Sequence, residues 1–322
     1  MISSTAETLF LCLNITKIVS VMRIVLHTVI VLFLALPIES LAQGYIKSDY
    51  VLSSTFKEEG KEGKLGSGDL LKVSGGYTLP LSTKLNEGGQ VTAWSIALNG
   101  SYSILNNKEI AGNLNPEKVL NASLNIAHIR PLSKKWSLIA SVGGGVYSEP
   151  NEISRESLLV NGGVIFIYKV SNKLDVGIGA GVTNSYGTPI AMPMAYLKLN
   201  LTGKYELKVD ISTKIEIAGI TKISDKFRLK LVAMEMDGIS AVMEKGGKSM
   251  MYSSVMMRSF LSPEFKMGKS STLFLGGGAV WTRSSQLTER SLKAFWDSFK
   301  SDDEDLYFKP AGYMTVGFRY GF

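Results

Sequence analysis

The sequence has 322 residues, of which 45% are hydrophobic and 20% are charged, and its formal net charge is +7. These values exclude a disordered chain and a protein built from many membrane-spanning helices. One cysteine (Cys12) and two histidines (His27 and His128) exclude a disulfide framework and a His-rich metal centre, so no cofactor or metal is expected.

Residues 22–42 have the pattern of a secretory signal peptide. A short basic start is followed by an apolar core at residues 29–36 and by a small-x-small cleavage site at residues 40–42. The sequence therefore predicts cleavage after residue 42, with Met22 as the true start and residues 1–21 as an overrun of the start site. A membrane anchor is the alternative, but the apolar run is shorter than the roughly 20 residues of a helical span.

From residue 43 onwards, apolar residues alternate with small or polar ones. Within residues 92–104, for example, Trp94 and Leu98 lie on one face and Ser95 and Asn99 on the other. The same alternation recurs in residues 120–126, 174–183 and 205–211. A period of two with such different faces predicts strands of a sheet whose two sides meet different environments.

Fourteen strands are predicted, an even number that places both termini at the periplasmic end of a barrel. They are 45–56, 69–81, 91–104, 118–131, 136–147, 157–169, 174–184, 190–200, 204–211, 214–223, 226–237, 250–267, 272–283 and 305–322. Twelve is the alternative, because the ninth and tenth strands, split at residues 212–214, can be one strand. Pro193, Pro263 and Pro310 fall inside predicted strands and are expected to mark bulges or strand ends.

The connections favour a transmembrane β-barrel over a secreted β-sandwich. Short turns alternate with long polar loops at 57–68, 105–116, 148–156, 238–248 and 284–304, which is the outer-membrane pattern. Aromatic residues lie beside the short turns, where they would form a girdle at one membrane interface: Trp94, Trp136, Tyr168, Tyr205 and Phe227. Residues 43–322 are therefore predicted to be a single outer-membrane barrel domain.

The C-terminus supports the same conclusion. Phe318, Tyr320 and Phe322 alternate with smaller or polar residues up to the end of the chain. This pattern resembles the signal by which bacterial outer-membrane proteins reach the barrel assembly machinery, which is thus an expected partner. A free strand of this kind would promote aggregation in a soluble protein.

Two stretches carry a family resemblance: Ser133 to Gly145, and Tyr168 to Gly181 continued to Pro193. Their strand–turn–strand texture resembles an uncharacterised outer-membrane β-barrel family of Bacteroidota, a domain of unknown function. The likeness covers roughly residues 90–322. It implies the fold and the location, and it implies no activity and no site residues.

Enzymatic chemistry is not predicted. Outer-membrane hydrolases and acyltransferases, the alternative class, resemble one another in using a histidine, and His128 continues the lipid-facing phase of its strand at the short-turn end. Those enzymes work at the opposite rim. The acidic run at residues 302–305 lacks the spacing of a calcium loop.

The candidate functional residues are charged side chains on the polar phase of neighbouring strands. We expect them to line the lumen as a salt-bridged wall on one side: Lys208, Asp210, Glu216, Arg228 and Lys230, joined by Arg258, Glu264, Lys266 and Arg319 if the last strands keep their phase. The opposite side offers mainly Ser, Asn and Gly.

The prediction is therefore a non-enzymatic barrel of the bacterial outer membrane, either a structural or binding barrel or a narrow channel for small polar solutes. Its expected surroundings are outer-membrane lipids and lipopolysaccharide, with no nucleic acid, and a monomer is favoured. The longest loop places Leu292, Phe295, Trp296 and Phe299 at helical spacing. This segment is expected to form a short amphipathic helix that folds inward and partly occludes the lumen.

Overall fold

The computed structural model describes residues 42–87, 89–212, 214–297 and 306–321. The proposed start-site overrun, Cys12 and all but the last residue of the predicted signal peptide lie outside the described residues. No helix in the described part of the chain is both long and apolar enough to cross a bilayer.

The described residues form a sheet of sixteen strand segments with three short helical turns. The strands are β1 (Gln43–Glu58), β2 (Gly66–Leu85), β3 (Val91–Glu109), β4 (Lys118–Pro131), β5 (Trp136–Ser148), β6 (Leu158–Lys169), β7 (Leu174–Thr183), β8 (Ile190–Leu201), β9 (Tyr205–Ile211), β10 (Ile215–Lys222), β11 (Phe227–Lys245), β12 (Lys248–Met267), β13 (Ser271–Ser284), β14 (Gln286–Glu289), β15 (Leu306–Phe308) and β16 (Ala311–Tyr320). The helical turns are α1 (Ile110–Leu114), a 3₁₀ turn (Arg155–Ser157) and α2 (Leu292–Asp297).

The sheet closes on itself as a barrel of fourteen wall strands. β14 continues β13 after a one-residue break, and β15 and β16 together form the last wall strand. β1 pairs antiparallel with β2 on one side and with β16 on the other, where Gly44 lies opposite Tyr320. The prediction of fourteen antiparallel strands is confirmed, and the twelve-strand alternative is wrong because β9 and β10 are separate strands.

The outer surface of the barrel is apolar, as a lipid-facing surface requires. Leu98, Leu124 and Ile178 point outward, and Ile178 is 77% exposed. Four of the five aromatic residues expected beside the short turns form ring pairs on this surface, and Tyr205 lies against Lys204 instead. Trp94 stacks on His128 with ring centroids 4.2 Å apart, which places His128 outside the lumen as predicted. This architecture is that of a bacterial outer-membrane protein.

Two boundary predictions are wrong in ways that matter for the lumen. Residues 238–248, expected as a polar loop, form the end of β11, a two-residue turn and the start of β12. Gly246 and Gly247 make this turn with φ of +62° and +73°, the left-handed conformation that a tight hairpin turn needs. Residues 105–116 are likewise the end of β3 followed by α1.

The three prolines behave differently from one another. Pro310 interrupts the last wall strand between β15 and β16, as expected. Pro263 has no ladder partner on β13, and the Oγ of neighbouring Ser262 donates a hydrogen bond to the Leu275 carbonyl over 2.7 Å. Pro193 marks no bulge, because β8 keeps a regular register with β7 there, and it lies three residues from the loop end of β8 at Ile190. That part of β8 has a neighbour on one side only, where a missing donor is tolerated.

The outer part of the β11–β12 pair, which we call the inner hairpin (residues 237–257), carries its β11 edge into the barrel, while β12 stays paired with β13 and β14. Consecutive residues of a strand point to opposite faces. In this hairpin, however, neighbouring residues along one strand are both buried. This holds for Ala241 and Val242 on β11 and for Met251 and Tyr252 on β12. Its two faces are therefore both covered, which a hairpin standing in the barrel wall could not achieve.

Candidate functional site in the barrel lumen

The lumen contains a cavity of about 900 Å³, which we call the lumen cavity. Small polar side chains of β3 and β4 form one side: Asn99, Ser101, Asn121 and Ser123. Charged side chains form much of the rest, with five basic and four acidic members: Lys47, Lys72, Lys214, Lys230, Arg319, Glu216, Glu235, Asp237 and Glu264. The expected lopsided interior, charged on one side and small on the other, is therefore present.

An apolar core packs beside this cavity toward the long-loop end. It combines inward side chains of the wall with those of the inner hairpin: Val51, Leu70, Leu105, Val119, Ala218, Val232, Ile239, Ala241, Tyr252, Met256, Phe260, Val280 and Tyr313. The hairpin reaches the far wall, because Val242 pairs with Ser148 of β5. The barrel is thus closed by its own β-structure at this end.

Side chains from the far wall hold the inner hairpin in place. The Nζ of Lys72 on β2 donates hydrogen bonds to Asp237 Oδ1 over 2.8 Å and to the Gly238 carbonyl over 3.0 Å. The Nδ2 of Asn121 on β4 donates to the Ser240 carbonyl over 2.6 Å. Since β2 and β4 lie across the lumen from β11, these bonds satisfy the hairpin's backbone edge inside the barrel.

Arg258 is the centre of a buried charge network behind this contact. Its guanidinium is fully buried and lies 2.5 Å from Glu235, 3.3 Å from Asp237 and 3.5 Å from Asp49. It also lies over the ring of Tyr313, whose hydroxyl donates to Asp49 over 2.6 Å. One cation thereby ties β1, β11, β12 and β16 together.

A second network surrounds Glu264 nearer the short-turn end. Its carboxylate is 1% exposed and is bound by Arg228 at 2.9 Å and by Arg319 at 2.5 Å. This carboxylate holds both guanidinium groups, so removing it would leave two positive charges without a partner.

Glu216 forms a third network, at the top of the short β9–β10 pair. Lys230 lies 2.7 Å from it and Lys214 lies 3.1 Å from it. Two lysines on one carboxylate leave this rim of the cavity with a local excess of positive charge.

The five predicted lumen residues occupy one continuous stretch of wall, but they do not converge on one point. Glu216 and Lys230 line the lumen cavity, and Arg228 pairs with Glu264 instead. Asp210 accepts a hydrogen bond from the Oγ of Ser212. Lys208 is paired with Ala218 and Asn200 on the neighbouring strands and so shares the inward face of the wall with Ala218.

The residues that tie the hairpin across the lumen were missed by the sequence analysis: Lys47, Asp49, Lys72, Glu235 and Asp237. They lie in only three strands, β1, β2 and β11, and the pairs that cross the lumen, such as Lys72 with Asp237, join strands far apart in the sequence. The additional residues Arg258, Glu264 and Arg319 do point inward as expected. Lys266 lies two residues after Glu264 and therefore on the same face of β12.

The expected inward packing of the longest loop is wrong for the part that can be described. α2 is present, but its Leu292 and Trp296 are exposed, and the lumen cavity is lined elsewhere. Arg290, just before it, donates to the carbonyls of Ser185 and Asn184 and so ties this loop to the β7–β8 loop. Residues 298–305, including the acidic run, lie outside the described residues.

The described residues contain no cluster of three metal-ligating side chains. The charged, hydroxyl and amide side chains that line the lumen cavity offer ion pairs and hydrogen bonds to a molecule that enters it. Phe318 and Tyr320 lie in β16, Phe322 lies outside the described residues, and the role of all three in assembly stays a prediction.

A family model described as a domain of unknown function (DUF6268) matches residues 38–321, nearly the whole chain. The chain belongs to this family. No activity is known for the family, and the match does not test the Bacteroidota origin that the resemblance implied. No curated protein is similar enough to this DUF6268 member to count as a match.

Several solved barrels are similar to this family member at low identity. The COG4313 outer membrane channel from Pseudomonas putida F1 is 8% identical, with 89% of this chain and 96% of that chain covered and a TM-score of 0.39. The outer membrane protease OmpT from Escherichia coli is 10% identical, covering 87% and 96%, with a TM-score of 0.24. A BenF-like porin from Pseudomonas fluorescens Pf-5 is 9% identical, covering 88% and 100%, with a TM-score of 0.28. At these values the likeness carries no weight for function.

Proposed function

We propose that this protein is a non-enzymatic outer-membrane barrel that acts as a narrow channel for small polar solutes, and that the inner hairpin holds the passage closed. The observation that carries the proposal is the Lys72–Asp237 ion pair across the lumen, 2.8 Å long. A barrel of fourteen strands is wider than the eight-stranded size that side chains alone can fill. An element that folds inward therefore decides whether the interior conducts.

The lining of the lumen cavity supports small polar solutes as cargo. Its charges are nearly balanced, and its remaining wall carries hydroxyl and amide groups, so it offers hydrogen bonds without selecting strongly for one sign of charge. We place the protein among outer-membrane lipids and lipopolysaccharide as a monomer that the barrel assembly machinery inserts.

A hydrolase or acyltransferase remains the less supported alternative. His128, the one histidine after the predicted cleavage site, lies on the outer surface against Trp94. The Nδ1 of its ring lies 3.1 Å from the Ala93 carbonyl, which is also outside the lumen.

The test is to shorten the inner hairpin and record conductance. Gly238 lies opposite Val255, so replacing residues 239–254 with Asn-Gly joins the two strands by a tight turn. In planar bilayers the intact protein is expected to conduct little and the shortened protein to form open pores. The unboiled gel shift of a folded barrel checks that both proteins are folded. A folded but non-conducting shortened protein would favour the structural or binding barrel instead.

A further inference from the structure

The barrel wall has a low section at β9 and β10. These strands have seven and eight residues, whereas their neighbours β8 and β11 have twelve and nineteen. Seven residues at about 3.4 Å each, tilted by about 40°, rise about 18 Å, which is less than the apolar band of about 25 Å. With Tyr205 and the base of β9 at the short-turn end, the wall stops within the outer half of the membrane.

Above β9 and β10 the two flanking strands do not close the gap. The β8–β9 ladder ends where Leu197 meets Ile211, and residues 190–196 of β8 continue without a partner on that side. The β10–β11 ladder ends at Ile215 and Met236. Beyond it, the edge of β11 turns into the lumen as the inner hairpin. Among the described residues, no strand pairing joins β8 to β11.

The lumen cavity touches both faces of the wall at this place. Glu216 and Glu235 belong to the inward phase of β10 and β11, and both line the cavity. Ile215, Met236 and Val255 belong to the outward phase, and they line the same cavity. These outward-phase residues touch the cavity at the place where β8 and β11 have no strand pairing between them. Together the two observations indicate an opening from the cavity over the top of β9 and β10 toward the outer surface, which we call the lateral window.

The free edge of β8 gives independent support. Open sheet edges are not found against lipid hydrocarbon, and irregular backbone at membrane depth occurs where it is buried in protein or lines a water-filled cavity. Pro193 removes one donor from this edge, but the neighbouring residues keep theirs. Their backbone groups need polar partners, which water or a polar ligand in the lateral window supplies.

We infer that the lateral window admits a membrane amphiphile, with its polar head in the lumen cavity and its alkyl chain left in the bilayer. The rim is apolar, formed by Ile215, Met236 and Val255, and so fits a chain. Behind it lie the five basic and four acidic side chains of the lumen cavity. This near balance fits a zwitterionic or uncharged polar head better than an anionic one. The volume of about 900 Å³ is within the range of small-molecule sites.

The inference goes beyond the proposed channel, since it concerns a sideways route that does not depend on conductance. It is tested with a fluorophore at a single cysteine, in a protein carrying Cys12→Ser. Ser123→Cys places the fluorophore in the lumen cavity, and Leu124→Cys, the matched control, places it on the lipid face. Both are reconstituted in vesicles of phosphatidylcholine that carries a nitroxide on its choline head group, because a nitroxide quenches only at near contact.

Quenching at Ser123→Cys is expected to be at least twice that at Leu124→Cys, because the head group enters the lumen cavity, whereas the middle of the lipid face meets only acyl chains. Quenching at Ser123→Cys that is no greater than at Leu124→Cys would overturn the inference. Filling the window with Met236→Trp and Val255→Trp should at least halve quenching at Ser123→Cys and leave Leu124→Cys unchanged. If that double variant does not fold, Ile215→Trp alone serves the same purpose. Unchanged quenching in a folded window variant would show entry by another route and refute the lateral window.

Discussion

Removing the charge of Lys72 is the most direct perturbation of the closed state. Its ammonium binds Asp237 and the Gly238 carbonyl at the start of the inner hairpin, and only 7% of the side chain is exposed. Lys72→Met keeps the length and the apolar stem of the side chain. It removes both hydrogen bonds between β2 and β11.

The magnitude follows from what is left behind. Asp237 keeps Arg258 as a partner at 3.3 Å, but the same guanidinium also neutralises Glu235 and Asp49, so the variant leaves the network one positive charge short. The loss is then at least that of the hydrogen bonds to a charged group, about 1.5–3 kcal/mol. If this free energy holds the hairpin inside the lumen, the ratio of open to closed protein rises by about 10- to 100-fold, since each 1.4 kcal/mol is a factor of ten in an equilibrium constant.

Single-channel recordings in planar bilayers measure this change as open probability. Lys248→Met is the matched control, because Lys248 lies on the same hairpin and pairs with Glu289 at the exposed surface. Surface pairs of this kind contribute about 0–1 kcal/mol, so the control should change the open probability by less than about fivefold. Equal open probabilities for Lys72→Met, Lys248→Met and the unaltered protein would refute the assignment of Lys72 as the tie that keeps the lumen closed.

Three further predictions concern assembly and stability. Ile178→Arg should destabilise the folded barrel in liposomes by about 2–4 kcal/mol, because it places a charge on the lipid face; an unchanged urea midpoint would overturn the inside–outside assignment. Glu264→Leu should lower the free energy of unfolding in the same assay by up to about 3–5 kcal/mol, because it leaves the partly buried Arg228 and Arg319 without their shared carboxylate; a variant as stable as the original would mean that the network is solvated. Deleting Phe322 should lower the amount of protein in the outer membrane, and normal levels in a fractionation experiment would argue against the terminal aromatic as an assembly signal.

The barrel was predictable because its signal is repeated in nearly every strand. Alternation such as that of residues 92–104 fixes which face is apolar, and short turns flanked by aromatic residues fix which end is which. The even strand number followed from counting these segments, including the split at residues 212–214 that produces the low section of wall.

The inner hairpin was missed because its sequence does not alternate. Gly238, Ser240 and the Gly246–Gly247 pair suggested a loop, whereas Ala241, Val242 and Met243 form a continuous apolar run. Such a run is typical of a strand that is covered on both faces, and it is the one signal that could have revealed the hairpin. The pairing of Lys72 with Asp237 across the lumen could not be predicted from the sequence, because it depends on how far β11 bends away from β10.

The pairing of Gly44 in β1 with Tyr320 in β16, which closes the barrel, has a consequence for the rate of folding. These residues are about 276 positions apart, so the pair that completes the wall is among the most non-local contacts the chain can make. Non-local pairings form slowly, because the entropy of closing a long loop is lost before the contact stabilises anything. Until β16 has been made and has found β1, both strands expose unpaired backbone that can join another chain. Overproduction faster than insertion should therefore yield aggregates, and raising the supply of insertion factors should relieve them without any change to the sequence.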